Sequence, residues 1–542
     1  MFIRTKTTKN SKKRSVQIVE SYRNEKNQPR QRIVRHLGTA MTDQELARLR
    51  DFAELEMARL QEENTPALFK PEQMAELAIE ARKNFSKDEK ILVDLKKLRE
   101  ENRITTGIHE VFGSIFDEIG FGSLFGARKK AAQKNLRHIT MARIANPDSK
   151  RSSVQNLAND FGINLSLDGV YRMMDSLDDN IITKAQELAY QSAKGLFGGE
   201  ISVLFYDCTT LYFESFTEDD LKKNGYSKDM KFNQPQVVLG LLVTTEGLPV
   251  GYEVFPGNQY EGHTLKTIIP KLKNKYNLKR IIFTADSAML SKDNLAYLED
   301  SDLEYIVAAR LRNLNKQWCD IITNNKEALR SFDYPDNRRL IVTYSDKLAR
   351  KNKHDRDAAI ARLSKKLEHS KDPSSLISNY GYKKFLKISG NATIELDESK
   401  YEQAGRFDGL HGVITNVKDL SDEEIISHYR GLWQIEECFR VSKHDLRIRP
   451  IYHWTPQRIK AHIMICFIAL ACIKHLGYRV KLRFEPMSAK RIVNALNHIQ
   501  LSILYHRQTD RRYALPSKFN EDARKIYKTL RLSTDATPYS LN

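Results

Sequence analysis

The sequence predicts an α/β protein whose three-layer core is split by a strand-rich insertion, with a basic strand hairpin and helices ahead of it. Three observations carry this expectation. Apolar residues recur at helical spacing up to about residue 200, then give way to strand-like runs. Residues 201–311 read β-β-β-α-β-α-β in order. Past a less regular stretch at 312–421, helical sequence resumes with SDEEIISHYRGLWQIEECFRVSKHDL. At 542 residues the chain exceeds the size at which one core keeps growing, so several domains are expected.

Residues 1–38 carry 11 Lys/Arg against two acidic residues. Two alternating segments there, Ser15–Arg23 and Arg30–Leu37, flank NEKNQP and predict a basic β-hairpin arm. Residues 39–105 are rich in Ala, Leu, Glu, Lys and Arg and are expected to be helical. At 106–200, Ile108, Val111, Phe112, Ile115, Phe116 and Ile119 fall on one helical face, and basic clusters stand at Arg128–Lys134 and Lys150–Arg151. This stretch is expected to be a helical DNA-binding domain, although a solvated helical spacer would read the same way. Together residues 1–200 are expected to carry most of the specific DNA binding.

The first part of the core, 201–311, opens with ISVLFYDCTTLYFES, QVVLGLLVTT, the turn EGLP and VGYEVF, an antiparallel meander. GHTLKTIIPKLKNKY and SKDNLAYLED read as helices, KRIIFTADSA and LEYIVAARL as buried strands. That succession is the order of an RNase H-like core. Residues 312–421 predict a β-rich insertion from RRLIVTYS, YGYKKFLKI and HGVITNV, with one basic helical stretch at Lys347–Lys371. The second part of the core, 422–480, holds one long helix through Lys443 and a second starting at Thr455 as N-cap with Pro456 in the first turn. Its apolar run, Ile463–Ile473, suits a core helix packed on the sheet better than a membrane span of ~20 residues. Residues 481–542 are expected to form a helical tail.

Eighty-eight Lys+Arg against 69 Asp+Glu give a net charge of +19, which favours a polyanionic partner. The five cysteines have no paired spacing, and the basic amino terminus lacks the apolar stretch of a signal peptide. A soluble, cytoplasmic protein is expected.

Three carboxylates stand where an RNase H-like core would build a metal site. Asp207 interrupts an apolar and aromatic strand, where a carboxylate is normally excluded. Asp286 ends the strand IIFTAD, at the carboxyl edge where open α/β sheets hold ligands. Glu436 shares a predicted helical face with Tyr429, Arg440 and Lys443. Glu437 points about 100° away from that face and is the weaker candidate. His444, His453 and His462 read as surface or core histidines, since hard divalent cations favour oxygen ligands.

The stretch from Tyr429 to Lys443 resembles the Tyr-x2-Arg-x3-Glu-x6-Lys signature of bacterial DDE transposases of the insertion-sequence-four type. YDCTTLYFES, FPGN at 255–258, TADSAM, FDGLHGVITN and the SVQIVESYR segment are similar to the branch named after element sixteen-thirty-four. The signature Arg position holds Leu432, with Arg430 two residues earlier and about 200° away on an ideal helix. The resemblance implies that Asp207, Asp286 and Glu436 bind divalent cations, Mg²⁺ or Mn²⁺ and two in number. It implies that Tyr429 and Lys443 contact DNA near the cut; Arg430, or else Arg440, is expected to stand in for the missing Arg, since a guanidinium suits bidentate phosphate contact. It also implies cleavage at element ends and strand transfer, carried out by a homodimer on double-stranded DNA. An RNase H-like nuclease, or a non-catalytic DNA-binding protein descended from a transposase, would share many of these features.

Overall fold

The computed structural model describes residues 2–7, 13–23, 28–43, 45–47, 49–50, 53, 57, 92–199, 201–227, 230–231, 233–276, 282–285, 291–369, 385–389 and 393–541. It divides into two compact units, Met1–Met74 and Ala75–Asn542. In the first, β1 (Phe2–Thr7), β2 (Arg14–Arg23) and β3 (Pro29–Ala40) form an antiparallel sheet in that order. Val16, Ile18 and Val19 of β2 are buried, while Arg30, Arg32 and Arg35 of β3 face solvent. Much of the stretch expected to be helical, residues 58–91 above all, lies outside the described residues.

The second unit opens with β4 (Leu98–Thr105), at the end of the segment expected to be helical. Five helices follow: Gly107–Ile119, Lys130–Ala145, Lys150–Phe161, Leu167–Asp175 and Asp179–Leu196. Ser149, Ser166 and Asp178 cap the last three by accepting backbone N–H groups, which satisfies donors that a helix start leaves open.

The central sheet begins with β5 (Val203–Tyr212), β6 (Gln236–Thr244) and β7 (Pro249–Pro256), an antiparallel meander. After the helix Leu265–Tyr276, β8 (Ile282–Ala285) returns parallel to β5. After the helix Lys292–Asp300, β9 (Glu304–Ala308) lies parallel to β8. The resulting order β7-β6-β5-β8-β9 is that of an RNase H-like sheet. Strand alternation sorts its residues: Leu204, Tyr206 and Cys208 enter a core shared with Phe283, Tyr305 and Leu298, so Phe205 and Asp207 belong to the other face.

The described residues of 312–421 do not form a separate β-rich body. The strands β10 (Leu329–Tyr334), β11 (Arg338–Tyr344) and β14 (Leu410–Thr415) extend the central sheet antiparallel beyond β9. Among the described residues of this region, β12 (Leu386–Ser389) and β13 (Thr393–Leu396) alone pair apart from it. Between these strands stand the helices Lys316–Asn324, Asp346–His369 and Glu398–Arg406. The apolar edge of β9, already flanked by β8, supplies a hydrogen-bonding template for β14 that no local pattern announces.

The helix Pro456–Lys481 starts as its sequence predicts, with the Thr455 side chain accepting from the Arg458 N–H. Ile463–Ile473 are all buried, but the helix packs mainly on the helices Gly107–Ile119, Lys130–Ala145 and Leu167–Asp175 and meets the sheet at β7, where Phe467 packs on Tyr252. By length and composition it is the one described helix apolar enough to cross a membrane, yet 89% of its apolar window is buried within the fold. The final segment is not a helical tail. Besides the helices Ala489–Asn497 and Glu521–Thr529, it contains β15 (Gln500–His506), β16 (Arg511–Pro516) and β17 (Tyr539–Ser540). These strands form a sheet in the order β17-β16-β15-β4, and alternation of Leu501 and Ile503 with less buried neighbours is its local signal.

Candidate active site

Asp207 sits in the middle of β5, opposite Leu241 of β6, and is only partly buried. Its Oδ1 accepts the Cys208 N–H at 2.7 Å. The two helices Asp422–Arg430 and Trp433–Arg440 cover this face of the sheet, the second touching β5 and β6. A capping box fixes the start of the first: Ser421 Oγ accepts from Glu424 N–H at 3.2 Å, and the Glu424 carboxylate accepts from Ser421 N–H at 2.8 Å.

The long helix expected through Lys443 is broken twice. It stops at Arg430, restarts at Trp433, and passes into a single π-helical turn, Val441–Asp445. Gly431 explains the first break. A Cβ there would lie 2.5 Å from Phe205 Cζ and 3.0 Å from the His428 carbonyl, so only glycine lets the junction press onto β5. Tyr429 therefore stands in the last turn of one helix, Glu436 occupies the first turn of the next, Arg440 closes it, and Lys443 lies in the π turn.

The break does not scatter the site. Asp207, Tyr429, Arg430, Leu432, Trp433, Ile435 and Glu436 line one cavity of about 260 Å³. Arg430 and Leu432 reach the same space despite the wide separation an uninterrupted helix would impose. Arg440 and Lys443 are not among the lining residues. Glu437 is turned away: its carboxylate accepts two hydrogen bonds from Arg440, both at 2.7 Å, which hold it below the usual carboxylate range. Arg440 also stands 3.5 Å from Asp445, so both its carboxylate neighbours lie outside the cavity.

Two site neighbours were not singled out from sequence. His411 of β14 packs its ring 4.9 Å from that of Tyr429, and burial, with the Arg430 charge, depresses its pKa. Trp433 forms part of the cavity wall while remaining more than half exposed. Both fall inside segments whose likeness to a family was legible, but His411 reaches the site only because β14 joins the central sheet.

Asp286 lies outside the described residues, which on this strand end at Ala285. Among the described residues no group of three or more His, Cys, Asp and Glu side chains is arranged to hold a metal ion. Two oxygen-donor carboxylates on one cavity nevertheless suit a hard divalent cation. Of the three histidines, His444 is exposed and His453 partly buried, while His462 is buried with Nδ1 3.3 Å from Lys150 Nζ. That contact removes Lys150 from the expected DNA-facing cluster, whereas Arg128, Lys129 and Lys130 remain exposed.

The cavity between the sheet and its covering helix thus holds one carboxylate from each, Asp207 and Glu436. The family model for the transposase DDE domain matches residues 198–472, about half of the chain, and that for the N-terminal domain of IS1634 family transposases matches residues 3–67. The chain thus belongs to the DDE transposases, of the IS1634 type, and is an enzyme of DNA transposition. Among solved structures it is similar to piggyBac transposase in a synaptic complex with hairpin DNA, at 10% identity over 72% of this chain and 76% of that one, with a TM-score of 0.37. It is also similar to Mos1 transposase in a paired-end complex with the left transposon end, at 11% identity over 46% and 70%, with a TM-score of 0.15. No curated protein sequence matches the chain.

Proposed function

We propose that this transposase cuts DNA at the ends of its own element and joins the freed 3′ ends to target DNA, with Asp207, Asp286 and Glu436 as its cation-holding carboxylates. The observation that carries this reading is the shared cavity, in which Asp207 and Glu436, more than two hundred residues apart, meet Tyr429 and Arg430. The sequence around the described register supports the third member: Phe205 pairs with Thr284, and Asp207 and Asp286 each follow two residues later in the sequence. Divalent cations, Mg²⁺ or Mn²⁺ and two in number, would activate the attacking oxygen and stabilise the leaving one. Arg430 is exposed at the cavity and offers a guanidinium suited to bidentate phosphate contact, the role that Leu432 cannot fill. Tyr429, braced by His411, orients the same strand. Arg440 and Lys443, outside the cavity, would contact DNA beyond the reacting phosphate. A homodimer holding paired element ends, working in the cytoplasm with its five cysteines as free thiols, completes the reading.

The test is product formation on labelled element-end DNA beside a gel-shift for binding. Asp207→Ala, Asp286→Ala and Glu436→Ala should each abolish cleavage and strand transfer while binding persists, because duplex affinity comes from many distributed cations. Glu437→Ala should stay active, and Arg430→Ala should lose on the order of a hundredfold in rate. Ca²⁺ should support binding but little chemistry, given its looser coordination. Activity in Asp207→Ala or Asp286→Ala would sink the proposed site.

A further inference from the structure

The π turn after Glu436 leads into a loop, Leu446–Thr455, that the reaction chemistry above does not use. It is fastened from below. Arg143 Nη1 donates to the Leu446 carbonyl at 3.4 Å, and His462 Nε2 donates to the Ile448 carbonyl at 3.0 Å. Ile451 N–H donates to the Tyr212 carbonyl at 3.0 Å, and Ile451 bridges Phe213. Leu446, Ile448 and Ile451 are buried by these contacts.

The residues between them face outward. Tyr452 is 62% and Trp454 73% exposed, an uncommon setting for two large aromatic rings on a fixed loop. Arg447 is exposed at φ +45°, a left-handed conformation that costs a non-glycine residue about 1 kcal/mol or more and that the fastened loop maintains. Arg449 and Lys231 lie 5.4 and 5.6 Å from the centre of the Tyr212 ring. Residues 441–460 hold five Lys/Arg against one acidic residue, and that residue, Asp445, faces Arg440. Arg458 and Lys460 are engaged by Asp175 and Asp179, which leaves the positive charge concentrated on the loop itself.

We propose that this loop is a preformed platform for an unstacked DNA strand beside the active site, with Trp454 and Tyr452 stacking bases and Arg447 and Arg449 contacting phosphates. Tyr212 ends the strand that carries Asp207, roughly 17 Å further along it at the usual rise. An exposed ring stacks on a base only where that base is unpaired or at an end, because a duplex interior hides its base faces. Arginine beside such rings supplies the backbone contact, and the combination is tolerant of sequence. The platform thus fits the DNA opened or left single-stranded at a cut, and it goes beyond the cleavage chemistry assigned above.

The experiment uses the full chain, an oligo(dT) of about 15 nucleotides, and a blunt duplex of random sequence, so it requires neither an element end nor catalysis. Trp454→Ala should weaken oligo(dT) binding about tenfold and Tyr452→Ala by a smaller factor, while duplex binding changes less than about threefold. Trp454→Phe should restore most of the loss, since any aromatic face stacks. Thermal melts matching the parent establish that these exposed positions leave the fold intact. Parental oligo(dT) affinity in the Tyr452→Ala/Trp454→Ala double variant would overturn the proposal, as would equal losses on the oligonucleotide and the duplex.

Discussion

At the scale of single residues, Lys150 shows how burial reassigns a charge. Its sequence neighbours made it a candidate for phosphate contact, yet it is buried against His462, whose Nε2–H is given to Ile448 and whose Nδ1 is left to accept from the ammonium. Burial, then the Arg143 charge, lowers its pKa from 10.5 to about 7. The sign of the stability effect follows. Between those two values the unfolded chain holds a proton that the folded chain has released, so stability rises with pH across that window. Below about 7 the lysine is charged in both states, and the full cost of burying the cation is present. Lys150→Met should therefore raise the melting temperature more at about pH 6 than at about pH 9, although it also removes a partner from His462. Melting curves of the two proteins across that range are the check, and a gain that is flat or grows with pH contradicts the account. The salt dependence of DNA binding should not change, because a buried lysine displaces no counterions. Sequence clustering cannot distinguish Lys150 from the exposed Arg128; only the packing of helices distant in sequence does so. Asp207 was legible for the opposite reason, a charge in an apolar strand that demands an explanation.

At the scale of elements, the junction at Gly431 decides where Glu436 sits. The approach of this junction to Phe205 leaves no room for a methyl group, and Phe205 is only 1% exposed, so its ring has little freedom to withdraw. Gly431→Ala should cost about 1–3 kcal/mol as an overpacked contact. It should also reduce cleavage by more than the lost stability explains, since lifting the helix Trp433–Arg440 carries Glu436 away from Asp207. A melting curve paired with a cleavage assay at a temperature where the variant is folded tests this; full activity there would mean the junction does not set the site. The strands β5 to β9 were readable because each is a short apolar run between turn residues, and their order followed from the succession of periods. The helix break was not readable, because LWQIEECF keeps helical spacing through it and the cause, Phe205, lies far away in sequence. In the region 312–421 the basic helix expected at Lys347–Lys371 is present as Asp346–His369, but the strands were not readable as part of the central sheet, because they finish a sheet begun elsewhere.

At the scale of the whole molecule, the long-range pairings bear on how the chain can be divided. Sequence organisation suggested that residues 1–200 act as a separable DNA-binding part. In the structure, the helices Gly107–Ile119, Lys130–Ala145 and Leu167–Asp175 pack on the helix Pro456–Lys481, and β4 finds its partner in β15, some four hundred residues later. Helix faces this apolar cannot be left in water without aggregation or loss of order, since burial of such surface is the main favourable term in folding. Residues 75–200 made alone should thus show no cooperative melt, and co-expression with residues 201–542 should recover them as a complex. Circular dichroism melts of the fragment, with co-purification from the paired expression, provide the measurement. A fragment that melts cooperatively near the temperature of the whole chain would mean that the helical region carries its own core and that the β4–β15 pairing adds little. If it does not, DNA binding by the helical region has to be mapped by point substitutions of exposed cations such as Arg128 and Lys129 in the full chain, each expected to lower the salt slope by about one.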